Sequence, residues 1–186
     1  MATPIVHVSA GVIIASIYFF STREIRGIEP KEFCSLMLPA MFFACLPDID
    51  LIYSYLLTGR VTDLHFGITH TFFFAAVVAL LLKMLPIFSI TKYSGLVFVL
   101  VLSHVVIDGL TGTLVGYSEA GGIKALAPFN DDVLVSPVTV FRGVSHAEWF
   151  TSENFKTVLS DLFFVPFAFL FFFSVKYILS KKAAKH

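Results

Sequence analysis

The stretch YSGLVFVLVLSHVVIDGLTGTLV, residues 93–115, decides the fold. An apolar run of this length suits a helix crossing a hydrocarbon core about 30 Å thick, which takes about 20 residues. Inside it the only acidic, basic or imidazole side chains are His104 and Asp108. An ionised Asp at the centre of a membrane helix costs about 2.5–3.5 kcal/mol on insertion scales, so it needs a partner. The four-residue spacing sets the pair on one helix face, one turn apart.

Working outward, four more runs have a similar character: residues 5–20, 36–57, 70–90 and 158–179. Pro39 and Pro47 interrupt the second, and Pro86 is expected to end the third. Of the 186 residues 57% are hydrophobic, 22 are Phe and only 14% are charged. A soluble domain has about 45–50% apolar and about 25% charged residues, so the surplus is too large for one water-soluble core. The sequence therefore predicts an all-α, polytopic membrane bundle of about five spans. It reads as one membrane-embedded domain, 1–186, with 116–157 as an extracytoplasmic loop or cap. Zero net charge offers no electrostatic case for nucleic acid. Cys34 and Cys45 fit no zinc-finger or CxxC spacing and read as plain membrane residues. Residues 1–4 lack a basic segment and no small-residue cleavage site follows, so the first run is expected to remain as a span.

Lys and Arg collect on the cytoplasmic side of membrane proteins. With the C-terminus inside, Arg23, Arg26, Lys31, Lys83, Lys92, Lys176, Lys181, Lys182 and Lys185 fall at the inner face. Arg60, Lys124, Arg142 and Lys156 fall outside. The bias predicts an N-out, C-in protein of the inner membrane. In the cap, Trp149 and Phe150 suit the membrane interface.

This orientation gathers ionisable residues at one depth: His7, Asp48, Asp50, His65, His70, His104, Asp108, His146 and Asp161. Each has an ordinary structural use. His104 and Asp108 suit a hydrogen bond between helices, Asp48 a helix cap after Pro47, and Asp161 a carboxylate at a helix N-terminus. His7 and His70 are tolerated near an interface or a helix start, and His146 reads as a loop histidine. Independent structural uses would not all gather at one depth, and a divalent cation is the economical common partner. Imidazole and carboxylate together suit Zn, Mn or Fe.

The order Pro47-Asp48-Ile49-Asp50, then His65-Phe66-Gly67-Ile68-Thr69-His70, then Ser103-His104 with Asp108, then Pro128-Phe129, resembles the YdjM-like membrane-bound metal-dependent hydrolases. An early histidine such as His7 suits that pattern, and the resemblance covers roughly residues 1–130. The family takes its hydrolase name from a ligand pattern similar to that of zinc-dependent phospholipase C. It commonly has Arg where this chain has Phe66. If that Arg meets an anionic substrate group, Arg142 or Lys124 is the replacement expected here.

Two functional classes follow. In the first, a metal-dependent hydrolase acts on a phosphoester of a lipid or lipid-linked substrate at the outer face. His7, Asp50, His65, His70, His104 and Asp108 are its expected ligands, shared between two ions. Asp48, Asp50 and His70 are its expected catalytic residues, with Asp48 as a further ligand or as an orienter of a histidine. In the second, the same residues form the pathway of a divalent-metal or ion transporter. The inner halves of the spans, 13–20, 36–45, 94–103 and 169–179, hold no His, Asp or Glu and only Lys176. That pattern describes a pocket closed on one side and favours the enzyme. A third reading keeps the metal as a purely structural element.

Overall fold

The computed structural model of the protein describes residues 1–21, 29–85, 92–145 and 150–183. Among these the chain is mostly helical, with α1 (Pro4–Ser21), α2 (Pro30–Cys45), α3 (Ile49–Thr58), α4 (Phe72–Met84), α5 (Ser94–Gly109), α6 (Ser152–Asp161) and α7 (Phe164–Ala183). Three helical stretches are long and apolar enough to cross a membrane: Pro4–Ser21, Lys31–Thr58 and Ser152–Ile178. The apolar helices α4 and α5 are shorter, with 13 and 16 residues. At 1.5 Å per residue they measure about 20 and 24 Å.

The boundaries depart from the expected spans where local chemistry intervenes. Pro39 is accommodated within α2, and the helix first breaks at Pro47, in a 3-10 turn at Leu46–Asp48. The helix resumes as α3 and stops at Gly59, whose left-handed backbone (φ 74°) lets its N–H reach the Tyr55 carbonyl. His70 does not begin a helix. It closes a 3-10 turn at Ile68–His70, and Thr71 caps α4 by accepting from the Phe74 N–H at 3.0 Å. The expected fifth span is divided between α6 and α7. Asp161 is consequently the last residue of α6 and not a carboxylate at a helix N-terminus. Pro86, Arg23, Arg26, Lys185, His146 and Trp149 lie outside the described residues.

Helix α1 packs against α2, α5 and α7, and α4 lies against α5. The α1–α2 crossing is close. A Cβ on Gly11 would sit 2.9 Å from the Ala44 Cβ and 3.0 Å from the Ala40 carbonyl oxygen. Small residues admit this approach where apolar burial offers no driving force between helices in lipid. Away from His7, the α1–α2–α5 interior is filled by Phe19, Phe33 and Tyr93, edge to face at 5.9 and 5.6 Å from Phe19, with Leu96 and Leu100 beside them.

At the other end, the segment after α5 folds back over the bundle. Two short parallel strands, β1 (Thr111–Gly112) and β2 (Phe141–Arg142), pair Thr111 with Phe141 and Gly112 with Arg142. Antiparallel bridges join Gly116 to Thr139 and Ile123 to Leu134. Ile123 and Ala125 bury against Val105 of α5, and the Ala125 carbonyl accepts from the Phe72 N–H at 2.9 Å. Phe150 is fully exposed.

The crossing is directly testable. Gly11→Val forces α1 away from Ala40 and Ala44 and is expected to cost about 1–3 kcal/mol. The purified protein should melt measurably lower in detergent. Gly95→Ala, where an added Cβ meets nothing within 4 Å, should leave melting unchanged or raise it. Equal melting of Gly11→Val and wild type would remove the crossing from this account.

Candidate metal centre

Four atoms from three segments meet where α2, α4 and α5 converge. His104 Nε2 lies 3.3 Å from His70 Nε2, 3.3 Å from Asp48 Oδ1 and 3.3 Å from Asp108 Oδ2. His70 Nε2 lies 3.6 Å from Asp48 Oδ1 and 3.5 Å from Asp108 Oδ2. Ligands about 2.0–2.1 Å from a tetrahedral centre are separated by edges of about 3.3–3.4 Å, so the His70–His104 pair with either carboxylate is spaced as ligands of a zinc-type ion. Among the described residues, Asp48 Oδ1 and Asp108 Oδ2 are buried without a hydrogen-bond partner. A buried carboxylate oxygen facing only imidazole nitrogens is costly unless a cation stands between them. The donor set of two imidazoles and two carboxylates fits a divalent transition metal.

The rest of each ring is held so that Nε2 points inward. Pro47 has no N–H to offer the preceding turn, and at this break the Ala44 carbonyl accepts from His104 Nδ1 at 2.8 Å. A carbonyl only accepts, so His104 carries a proton on Nδ1, which leaves Nε2 as the nitrogen that can face a cation. Asp50, in the first turn of α3, does the same for two histidines. Its Oδ1 lies 2.7 Å from His65 Nδ1 and its Oδ2 lies 3.1 Å from His70 Nδ1. Thr69 donates to Asp50 Oδ2 at 2.6 Å. Such carboxylate–imidazole pairs fix ring orientation and raise ligand basicity.

His7 comes from the second turn of α1 and is fully buried. Its ring stacks on His104 at 3.7 Å and 13°, and its Nε2 lies 3.5 Å from Asp108 Oδ1. Among the described residues, neither of its nitrogens has a hydrogen-bond partner. Three overlapping groups can therefore hold an ion: Asp48–His70–His104, His7–His104–Asp108 and Asp50–His65–His70.

The two expected substrate cations lie elsewhere. Lys124 is half exposed, 3.9 Å from Asp131. Arg142 pairs with Glu153, which also binds Lys156. Phe66, at the position where an Arg was expected, adopts a left-handed backbone (φ 62°). Its ring lies 4.2 Å from that of His65 and 5.1 Å from that of His70.

Several contributors carry little sequence signal. The Ala2 N–H donates to Asp108 Oδ1 at 2.9 Å, and Thr3 donates to the buried Asp161 at 2.6 Å. The Met1 sulfur lies 2.7 Å from His65 Nε2, and the Met1 carbonyl accepts from Val144 N–H. Backbone donors and a thioether leave no recognisable pattern. Thr69, in contrast, was visible beside His70 in the run 65–70.

The sequence matches the family described as YdjM inner membrane protein over residues 1–183. Neither the curated proteins nor the solved structures return a match. The match spans almost the whole chain and includes every element that builds the His/Asp cluster, so this protein belongs to the YdjM inner membrane protein family.

Proposed function

We propose that the protein is a metal-dependent hydrolase of a phosphoester carried on a lipid or lipid-linked substrate, with its site at the outer face of the inner membrane. The observation that supports this most is the ligand-like spacing of His70 Nε2 and His104 Nε2 with Asp48 Oδ1 and with Asp108 Oδ2, carboxylate oxygens that lack a hydrogen-bond partner among the described residues. Zn suits that set best, with Mn or Fe as alternatives. A cation held there would supply Lewis-acid polarisation of a phosphoryl oxygen and an acidified water.

The chain's own residues divide the remaining work. Ala44, through its carbonyl, and Asp50 keep protons on His104 Nδ1 and His70 Nδ1, so that both Nε2 atoms remain donors. Asp48 is the most open side chain of the four, at 14% exposed, and marks the side from which substrate arrives. Asp108 Oδ1 lies 3.5 Å from His7 Nε2, so His7, His104 and Asp108 are the residues that would hold a second ion. Phe66, itself exposed, lays its ring against those of His65 and His70 at the edge of the centre. The buried Phe19–Phe33–Tyr93 cluster lies on the other side of the site and supports a pocket over a transport pathway.

The metal is tested by elemental analysis of purified protein. His104→Ala and Asp108→Ala should each lose most of the bound ion, since every ligand removed leaves its neighbours unpaired in a low-dielectric site. Asp50→Ala should retain a weaker site, with affinity reduced about 10–100-fold. Full stoichiometry in both of the first two variants would return the pair to a plain interhelical contact.

The reaction is tested by incubating metal-loaded protein with phospholipids and prenyl phosphates and following released headgroup or phosphate. Turnover should vanish on chelation and in His70→Ala. Turnover that survives both treatments would remove the metal from the mechanism.

For the orientation, reporters fused after residues 90 and 186 should both report cytoplasm. An extracytoplasmic C-terminus would reverse the outward-facing site.

A further inference from the structure

The stretch from Ile123 to Val135 belongs to the loop expected outside the bilayer, yet it does not sit above the helices. It lies beside their end turns. Ile123 buries against Val105 of α5, and its Cδ1 would be 3.3 Å from a Cβ on Gly109. It therefore covers the turn of α5 that carries Asp108. Two residues on, the Ala125 carbonyl accepts the Phe72 N–H at 2.9 Å, at the start of α4. Phe129 then meets Phe73 edge to face, with ring centroids 5.5 Å apart. Phe73 shares one face of α4 with Leu80 and Met84, and all three are exposed. The outer apolar face of α4 thus runs on into this stretch.

The far side of the stretch is apolar as well. Ile123 and Leu134 exchange both backbone hydrogen bonds, so the residues next to them point the other way. On that other face, a Cβ added to Gly122 would meet Val133 Cγ1 at 2.5 Å and Val135 Cγ2 at 2.9 Å. Val133 and Val135 are therefore turned away from α5, 52% and 49% exposed, and Phe129 is 81% exposed. Much of the backbone here satisfies itself. The N–H groups of Ala127, Phe129 and Asn130 donate to the Lys124 and Leu126 carbonyls, and that of Asp132 donates to the Asn130 side chain. Pro128 has no N–H to satisfy. Backbone beside lipid needs such internal partners, whereas backbone in water does not. Helices α4 and α5, about 20 and 24 Å long, also fall about 6–10 Å short of a hydrocarbon core of about 30 Å. An apolar belt confined to them would be too low.

We propose that residues 123–135 form an interfacial membrane element, with Phe129, Val133 and Val135 inserted among the lipids of the leaflet next to the metal centre. The occupant of this face is lipid, because the face continues the one that α4 turns to the bilayer. Lys124, 3.9 Å from Asp131, and the neighbouring Asp132 are exposed charges that hold the element at headgroup level. Through Ile123 the element is level with Asp108, so the His/Asp centre stands close to the depth of the lipid phosphates. The inference concerns where the bilayer meets the chain and not the reaction, so its failure would leave the hydrolase reading standing.

The test reads lipid contact in the full-length protein. Trp149 is the only tryptophan, so Trp149→Phe gives a background in which Phe129→Trp or Val135→Trp places a single reporter at an exposed position. Each variant should melt in detergent close to the Trp149→Phe parent, which establishes its fold. The proteins are reconstituted in vesicles of phosphatidylethanolamine and phosphatidylglycerol, with bromine on the acyl chains either near the headgroup or near the methyl end. Both reporters should lose about half of their emission to bromine near the headgroup, as side chains inserted about 5–10 Å would. Bromine near the methyl end should quench less, and iodide on both sides of the membrane should quench least. Strong quenching by iodide, with none by either lipid, puts the face in water and overturns the proposal. Protection from all three reagents means that protein covers the face, a second copy of this chain included, and overturns it too. Stronger quenching from the methyl end rejects the interfacial depth, and opposite answers from the two reporters reject the single lipid-facing element.

Discussion

The structure depends on compensating carboxylates inside an apolar bundle. Asp48, Asp50 and Asp108 are surrounded by helices whose other faces are Val, Leu, Ile and Phe. Moving a carboxylate from water into such surroundings costs several kcal/mol even after relaxation, and the cost is repaid only by excellent geometry. The geometry is assembled from distant parts of the chain. The Gly11 crossing brings His7 beside His104, the Pro47 break turns Asp48 inward, and the Thr71 cap starts α4 immediately after His70. The close crossing and the proline break each weaken a helix considered alone, whereas the Thr71 cap stabilises α4. Together they gather the His and Asp donor atoms at one place.

A second layer makes that point definite. The two inward-facing imidazoles each have their opposite nitrogen assigned, His104 by a backbone carbonyl and His70 by Asp50. The assignment is structural in origin, since it uses a carbonyl at the proline break and a carboxylate at the start of the next helix. Polar groups so arranged need no reorganisation when a charged ligand arrives. The opposite end of the bundle is organised differently, by edge-to-face aromatic contacts that need no polar partner. The protein thus separates chemistry from packing along the length of the bundle.

Much of this was legible in the residues. The i, i+4 spacing of His104 and Asp108 places both on one face, and they do meet, at 3.3 Å. The His65–His70 run and the Pro47–Asp50 run do come together. The division of labour between Asp48 and Asp50 was not legible. It depends on a 3-10 turn at Leu46–Asp48, which sends the first carboxylate toward the Nε2 atoms and the second toward the Nδ1 atoms. A helix drawn straight through Pro47 separates residues 48 and 50 by about 200° and says nothing about which nitrogen each meets. Asp161 was misplaced for a related reason. Hydropathy registers an apolar run but not the break at Leu162 and Phe163 that ends one helix before the next. The roles of Ala2 and Ala44 rest on backbone groups that every residue carries, so no side-chain pattern announces them.

The Ala2–Asp108 hydrogen bond joins residues 106 positions apart, and His70 and His104 are separated by 34. The donor set is therefore contributed by segments that leave the ribosome at widely different times. Until α5 has been made, Asp48 and His70 have neither His104 nor Asp108 to face, and the two groups that share His104 exist in no shorter nascent chain. A cation held through His104 would therefore be captured late, whereas Asp50, His65 and His70 are in place before α5 is made. Occupancy of the centre would then report that the polypeptide has finished assembling in the bilayer.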